Sequence, residues 1–168
     1  MALFVHLTPE KNIKAIIGAG IKPGYKRGTL PESVFAVPVT PNFYVSHQWL
    51  RELRRSGQRT ICGVYFRIPD EETVHIGHYN ENHRAVTATE ATAIFMEAEN
   101  REGYEVLVPR KVESGEIHRV RHLPQVVGWR YIPDAHNRPF CGCVVCVPPG
   151  TIRARQKNEA WEENQAKG

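Results

Sequence analysis

Residues 4–17, with the sequence Phe-Val-His-Leu-Thr-Pro-Glu-Lys-Asn-Ile-Lys-Ala-Ile-Ile, hold the signals of a buried strand and of a helix that follows it directly. The apolar start is typical of a short strand, and His6 is the polar residue at its end. Thr8 is suited to cap the helix and Pro9 to occupy its first turn, and the isoleucines then recur at helical spacing. The opening of the chain therefore predicts a strand that brings a histidine to the start of a helix.

The rest of the chain intermixes further strands and helices. Strands are predicted at residues 34–37, 60–68, 104–108 and 117–121, and helices at residues 46–55 and 88–100, the last with a capping box at Thr87 and Glu90. The length of 168 residues, with 41% apolar and 24% charged residues, fits one globular domain with its own core. We predict an α+β body at residues 1–123, a cysteine-rich segment packed on it at residues 124–152, and a charged tail at residues 153–168.

Composition argues against several classes of protein. The chain contains no apolar run of the roughly 18 residues that a membrane-spanning helix needs. Its first residues lack a basic region ahead of an apolar block, so no secretion signal is expected, and three clustered cysteines favour a reducing compartment. We therefore expect a cytoplasmic protein without a membrane partner. The formal net charge of +4 is compatible with an anionic partner such as nucleic acid.

Three short motifs follow one another along the body of the chain. F-V-H-L-T-P begins at Phe4, V-F-A-V-P spans residues 34–38, and Y-E-V-L-V-P spans residues 104–109 and is followed by G-E-I-H-R-V. This layout resembles the ADP-ribosyltransferase superfamily, including its DNA-targeting toxin branch and, more distantly, the RNA 2'-phosphotransferases. The resemblance covers about residues 4–120. It implies an ADP-ribosyltransferase-like fold, a split mixed or antiparallel sheet core with short flanking helices, to which the cysteine-rich segment is appended.

The resemblance implies that NAD is the substrate and assigns the catalytic role to Glu105. Nicotinamide leaves NAD through an oxocarbenium-like state of the ribose, and a carboxylate can hold the ribose 2'-hydroxyl and stabilise the developing positive charge. His6 would hydrogen-bond a ribose hydroxyl of the dinucleotide, and Thr8 is counted with it among the NAD-binding residues. From the residues alone, Glu105 is also compatible with an exposed strand residue, and His6 with a structural histidine.

Aromatic and arginine side chains complete the predicted NAD site. An aromatic ring is expected to stack on nicotinamide, and the candidates are Tyr44, with Phe43 or Tyr25 as substitutes. Packing in the core or in a loop is the alternative role for these rings. Guanidinium groups suit bidentate contacts with the pyrophosphate, and the candidates are Arg27, Arg51 and Arg54.

Nucleic acid is the expected acceptor, although a protein acceptor stays open. Branches of the family that modify arginine side chains carry a second acidic residue two positions before the catalytic glutamate, where this chain has Gly103. Glu102 is offset by one position, so its side chain would point to the opposite face of the strand. The resemblance implies a toxin or phage-defence effector, restrained by an antitoxin or regulatory protein. The alternative functions are NAD-dependent removal of an RNA 2'-phosphate and a non-catalytic, zinc-stabilised nucleic-acid-binding module.

Cysteines beyond the body form the pattern C-x-C-x-x-C at Cys141, Cys143 and Cys146. Structural zinc takes four nitrogen or sulfur ligands, so this pattern predicts a zinc site that needs one more side chain. We predict His136 as the fourth ligand, and Cys62 and His122 are alternatives; packing cysteines without a metal are the other interpretation.

A polar stretch at residues 71–84 contains His75, His78 and His83. No acidic or cysteine pattern accompanies these histidines at metal-ligand spacing. We therefore interpret the stretch as a polar loop over the active cleft rather than as a metal site.

Overall fold

The computed structural model describes residues 1–26, 28–55 and 57–125 together with positions 152 and 156. Its strands are β1 (Ala2–Pro9), β2 (Tyr25–Lys26), β3 (Glu32–Pro38), β4 (Ile61–Ile68), β5 (Thr73–His78), β6 (Arg84–Thr87), β7 (Tyr104–Val108) and β8 (Ile117–His122). Its helices are α1 (Ile13–Ala19), α2 (Phe43–Ser46), α3 (Leu50–Arg55) and α4 (Ala88–Glu97), with short 3-10 helices at Glu10–Asn12 and Ser114–Glu116. The predicted α+β class is confirmed.

One antiparallel sheet organises the described residues. The strand order is β6-β5-β7-β3-β1-β4-β8, and β2 pairs with β3. β1 pairs with β4 along its whole length, from Ala2–Ile68 to Pro9–Ile61. The sequence prediction had left open a mixed sheet; every pairing between the described strands is antiparallel.

The first strand is longer than the sequence predicted. β1 continues through His6 as far as Pro9, because each of these residues keeps a partner on β4. Thr8 therefore lies inside a strand, and the prediction that it caps the following helix is wrong. Its hydroxyl instead accepts a hydrogen bond of 3.0 Å from the side-chain amide of Asn12, which occupies the N-cap position of α1.

The predicted helix at residues 46–55 is divided into two short helices. α2 begins earlier, because the side-chain oxygen of Asn42 accepts hydrogen bonds from the backbone amides of Tyr44 and Val45. Ser46, at which the helix was predicted to begin, is instead the last residue of α2, and its hydroxyl accepts a 2.8 Å hydrogen bond from the Thr40 amide. The break leaves the intervening segment, residues 47–49, to contact the sheet with polar side chains.

The two faces of the sheet are covered by different elements. α4 begins at the predicted capping box of Thr87 and Glu90, which is confirmed, and buries Ala88, Ala91 and Phe95. The Phe95 ring meets the Tyr104 ring edge to face, with centroids 6.2 Å apart. Because side chains alternate along a strand, Glu105 projects to the opposite face from Tyr104. α2 and α3 pack on that second face.

β1 and β3 separate partway along their length. Their pairing runs through Phe4–Pro38 and Val5–Val37, and it is not continued at His6 within the described strands. β3 then pairs with β7 from Val34 to Ala36. A gap therefore opens between two neighbouring strands near the middle of the sheet order.

Parts of the predicted organisation lie outside the described residues. The cysteine-rich segment and all but two positions of the tail are among them, so these predicted boundaries stay predictions. None of the described helices is long and apolar enough to cross a membrane.

Candidate active site

A cleft of about 370 Å³ lies where β1 and β3 separate. Residues of β1, β3 and the α2–α3 segment line most of it, and β7 contributes one carboxylate. The described lining residues are Val5, His6, Leu7, Phe35, Ala36, Val37, Trp49, Glu52, Leu53 and Glu105. Mostly apolar walls with a few ionisable groups are typical of a small-molecule site.

Glu105 is the buried carboxylate of this cleft. It lies on β7 directly opposite Gly77 on β5, and only 6% of the residue is exposed. This burial excludes the interpretation that it is an ordinary exposed strand residue. A charged group is seldom buried without a partner, so its surroundings decide what it can do.

His6 lies at the other side of the cleft. Its Nδ1 is 2.8 Å from the backbone carbonyl of Phe35, which lies across the gap between β1 and β3. Burial lowers the pKa of His6, with a smaller opposing effect from that hydrogen bond, so the ring is neutral near neutral pH. A carbonyl only accepts, so Nδ1 carries the proton and Nε2 presents a lone pair. His6 is thus prepared to accept a hydrogen bond from a hydroxyl.

His83 contacts Glu105, and the sequence did not predict this contact. Its Nε2 lies 3.1 Å from Oε1 of Glu105, and the two side chains are 1% and 8% exposed. Gly77 creates the room for it: a Cβ at that position would lie 3.0 Å from Cγ of His83. The signal available in the sequence was the isolated Gly77 itself, because a glycine within a strand often marks a close approach. The prediction of a loop throughout residues 71–84 is wrong for Thr73–His78, which form β5 because they pair with β6 and β7, and the position of the stretch over the cleft stays a prediction.

Two polar side chains attach the α2–α3 segment to the start of β7. Gln48 is buried; its side-chain oxygen accepts from the Gly103 amide at 2.6 Å and its amide donates to the Arg101 carbonyl at 2.9 Å. The Trp49 indole donates to the Tyr104 carbonyl at 2.9 Å. These hydrogen bonds hold Trp49 in the cleft that Glu105 also lines. Neither Gln48 nor Trp49 was among the predicted site residues.

Thr8, Phe43 and Tyr44 are not among the described residues that line the cleft. Thr8 is buried and bonded to Asn12. Phe43 stacks on His47 with ring centroids 4.2 Å apart, whereas Tyr44 is 64% exposed, and neither ring lines the described cleft. Their roles in stacking on nicotinamide stay predictions.

Arg51 is buried on α3, and its Nε has no hydrogen-bond partner among the described residues. Arg54 donates to the backbone carbonyl of Gln125. Tyr25 lies in β2, but its side chain is outside the described part of the structure, as is the whole of Arg27. The predicted pyrophosphate contacts therefore stay predictions.

The predicted zinc ligands Cys141, Cys143, Cys146 and His136 lie outside the described residues. The two alternative ligands are within them: Sγ of Cys62 is 3.5 Å from Nδ1 of His122. No group of three potential metal ligands occurs in the described part of the chain.

No family model, curated protein or solved structure matches this chain. The chemistry must therefore be argued from the cleft itself. A buried carboxylate, a neutral imidazole and an apolar wall that carries an indole can together bind a polyhydroxylated, partly aromatic ligand and stabilise positive charge next to the carboxylate.

Proposed function

We propose that this protein is an NAD-dependent ADP-ribosyltransferase that modifies nucleic acid. One observation carries the proposal: His6 and Glu105, which are distant in the sequence, line the same cleft. The sheet separates between β1 and β3 at that cleft, and we interpret this as the split of an ADP-ribosyltransferase-like fold.

Glu105 supplies the central chemistry in this proposal. Departure of nicotinamide leaves positive charge on the ribose, and a carboxylate next to C1' stabilises that charge while accepting a hydrogen bond from the 2'-hydroxyl. Its low exposure strengthens the interaction, because water screens the two charges less. Its place on a strand in the middle of the sheet order fixes its direction, so little reorganisation is needed during the reaction.

His6 and the cleft walls orient the dinucleotide in this proposal. Nε2 of His6 accepts a hydrogen bond from a ribose hydroxyl, since Nδ1 is already engaged by the Phe35 carbonyl. A volume of about 370 Å³ is within the range of small-ligand pockets and suits the nicotinamide riboside portion. Trp49 lines the cleft and becomes a further candidate for contact with the nicotinamide ring, beside the aromatic residues that the sequence suggested.

Two exposed arginines of β8 support nucleic acid as the acceptor. Arg119 and Arg121 have partners on β4 that pair in turn with Val5 and Leu7, which line the cleft. Residues opposite one another in antiparallel strands share a face, so the arginines lie two strand spacings, about 10 Å, from the cleft wall. Guanidinium groups bind phosphates well. A strand whose phosphates contact these arginines would have its bases within reach of the cleft.

The test is consumption of labelled NAD in the presence of DNA, RNA and protein acceptors. We expect the label on nucleic acid, and Glu105→Gln should reduce NAD consumption by at least about a hundredfold, since it removes the charge but keeps the shape. Glu102→Gln is the matched control: this neighbouring glutamate is exposed, and its loss should leave the rate unchanged.

Two outcomes would contradict the proposal. A Glu105→Gln variant with full activity would remove the catalytic assignment. If the unaltered protein neither consumes NAD nor labels any acceptor, a non-catalytic nucleic-acid-binding protein becomes the better interpretation.

A further inference from the structure

The contact between His83 and Glu105 constrains where one proton can lie. Nδ1 of His83 is 3.1 Å from the backbone carbonyl of Glu81, which can only accept, so Nδ1 carries a proton. Nε2 is 3.1 Å from Oε1 of Glu105. A bare lone pair on each of these atoms would repel the other. The contact lies within ion-pair distance but is not aligned as a hydrogen bond, so a proton on Nε2 would replace this repulsion by the attraction of an ion pair.

The geometry favours the imidazole as the site of this proton. With both ring nitrogens protonated, Nδ1 donates to the Glu81 carbonyl and Nε2 faces the Glu105 carboxylate. The resulting imidazolium and carboxylate attract one another strongly at this low exposure. Removal of one partner would leave the other as a buried charge without that compensation.

We propose that His83 is a positioning residue that forms a buried imidazolium–carboxylate pair with Glu105 and so presents Glu105 to the cleft as an anion. The catalytic consequence rests on the proposed function, in which Glu105 must be ionised to stabilise the ribose cation. Gly77 makes this pairing possible, because a side chain at that position would crowd the imidazole ring.

Other titratable groups surround the pair. His75 lies on β5, and its pKa is lowered by burial and, to a smaller extent, by its electrostatic interaction with His83. His6 on β1 is kept neutral by burial, and Glu52 on α3 lines the same cleft. Among these groups, Glu105 has the direct contact with the His83 ring nitrogen.

The first test observes the protonation of His83 without any reaction. Imidazole nitrogen NMR near neutral pH should show both ring nitrogens of His83 protonated in the unaltered protein, and the neutral Nδ1–H form in Glu105→Gln. The His83→Gln variant identifies the signal. A neutral His83 in the unaltered protein would overturn the proposal.

The second test is the pH profile of NAD consumption. His83→Gln retains an N–H donor but not the charge, so the acid limb of kcat/KM should move up by about one pH unit. His118→Gln, at an exposed histidine of β8, should leave the profile unchanged. An unmoved acid limb in His83→Gln overturns the positioning role. If no variant or parent protein consumes NAD, the proposed function fails, while the NMR result still decides the ion pair.

Discussion

Substitution of Gly77 by alanine tests how closely the active-site geometry depends on one missing methyl group. The new Cβ would lie 3.0 Å from Cγ of His83 and 3.1 Å from both its Cα and Nδ1. Carbon atoms normally pack at about 3.5–4.0 Å, so His83 must withdraw by roughly 0.5 Å. Because the backbone Cα is among the crowded atoms, rotation of the side chain alone cannot relieve the contact.

The displacement has two expected consequences. If His83 withdraws directly away from Glu105, the present distance of 3.1 Å between Nε2 and Oε1 increases to about 3.6 Å, and the attraction within the ion pair weakens. Overpacking of this kind costs about 1–3 kcal/mol of the free energy of unfolding. For a chain of this size, that cost corresponds to a fall in Tm of about 2–12 °C.

Thermal unfolding followed by circular dichroism gives the Tm of each variant. The rate of NAD consumption and the nitrogen NMR signal of His83 report on the geometry of the site. The matched control is Gly115→Ala in the 3-10 helix Ser114–Glu116, where a Cβ meets nothing within 4 Å. Gly115→Ala should leave Tm and the His83 signal nearly unchanged. A Gly77→Ala protein with the same Tm, rate and His83 signature as the parent would refute the argument from crowding.

Two further predictions concern stability. Arg110 donates to both oxygens of Glu72 and both of Glu116 at 2.6–2.7 Å, and its side chain is 36% exposed. Arg110→Met should therefore lower the free energy of unfolding, measured by urea titration, by about 2 kcal/mol. Lys111→Met removes an exposed pair and should cost less than about 0.5 kcal/mol, so equal losses in the two variants would contradict this prediction. Burial lowers the pKa of His6, His47 and His75 in the folded protein. As the pH drops below about 6.5, the unfolded chain therefore binds protons before the folded protein does, and the free energy of unfolding should fall. Urea unfolding that does not change between neutral and mildly acid pH would be inconsistent with that burial.

Local sequence signals predicted the local structure well. The capping box of Thr87 and Glu90 defines the start of α4, because both of its hydrogen bonds lie within four residues. The strand predicted at residues 104–108 matches β7, in which alternation places Glu105 and Tyr104 on opposite faces. Thr8 was misassigned for the opposite reason: its neighbourhood resembles a helix cap, but pairing with β4, which is distant in the sequence, keeps it in a strand.

The resemblance carried by the three short motifs nominated His6 and Glu105, and local residue patterns placed both at or near strand ends. Motifs and the period of alternation are local properties, so the sequence by itself determined this much. Tertiary structure decided that the two residues share a cleft, since that depends on strand order and on where β1 and β3 separate. It also brought His83 to Glu105 through the room at Gly77. Register between strands is a non-local property, and no spacing within a single segment encodes it.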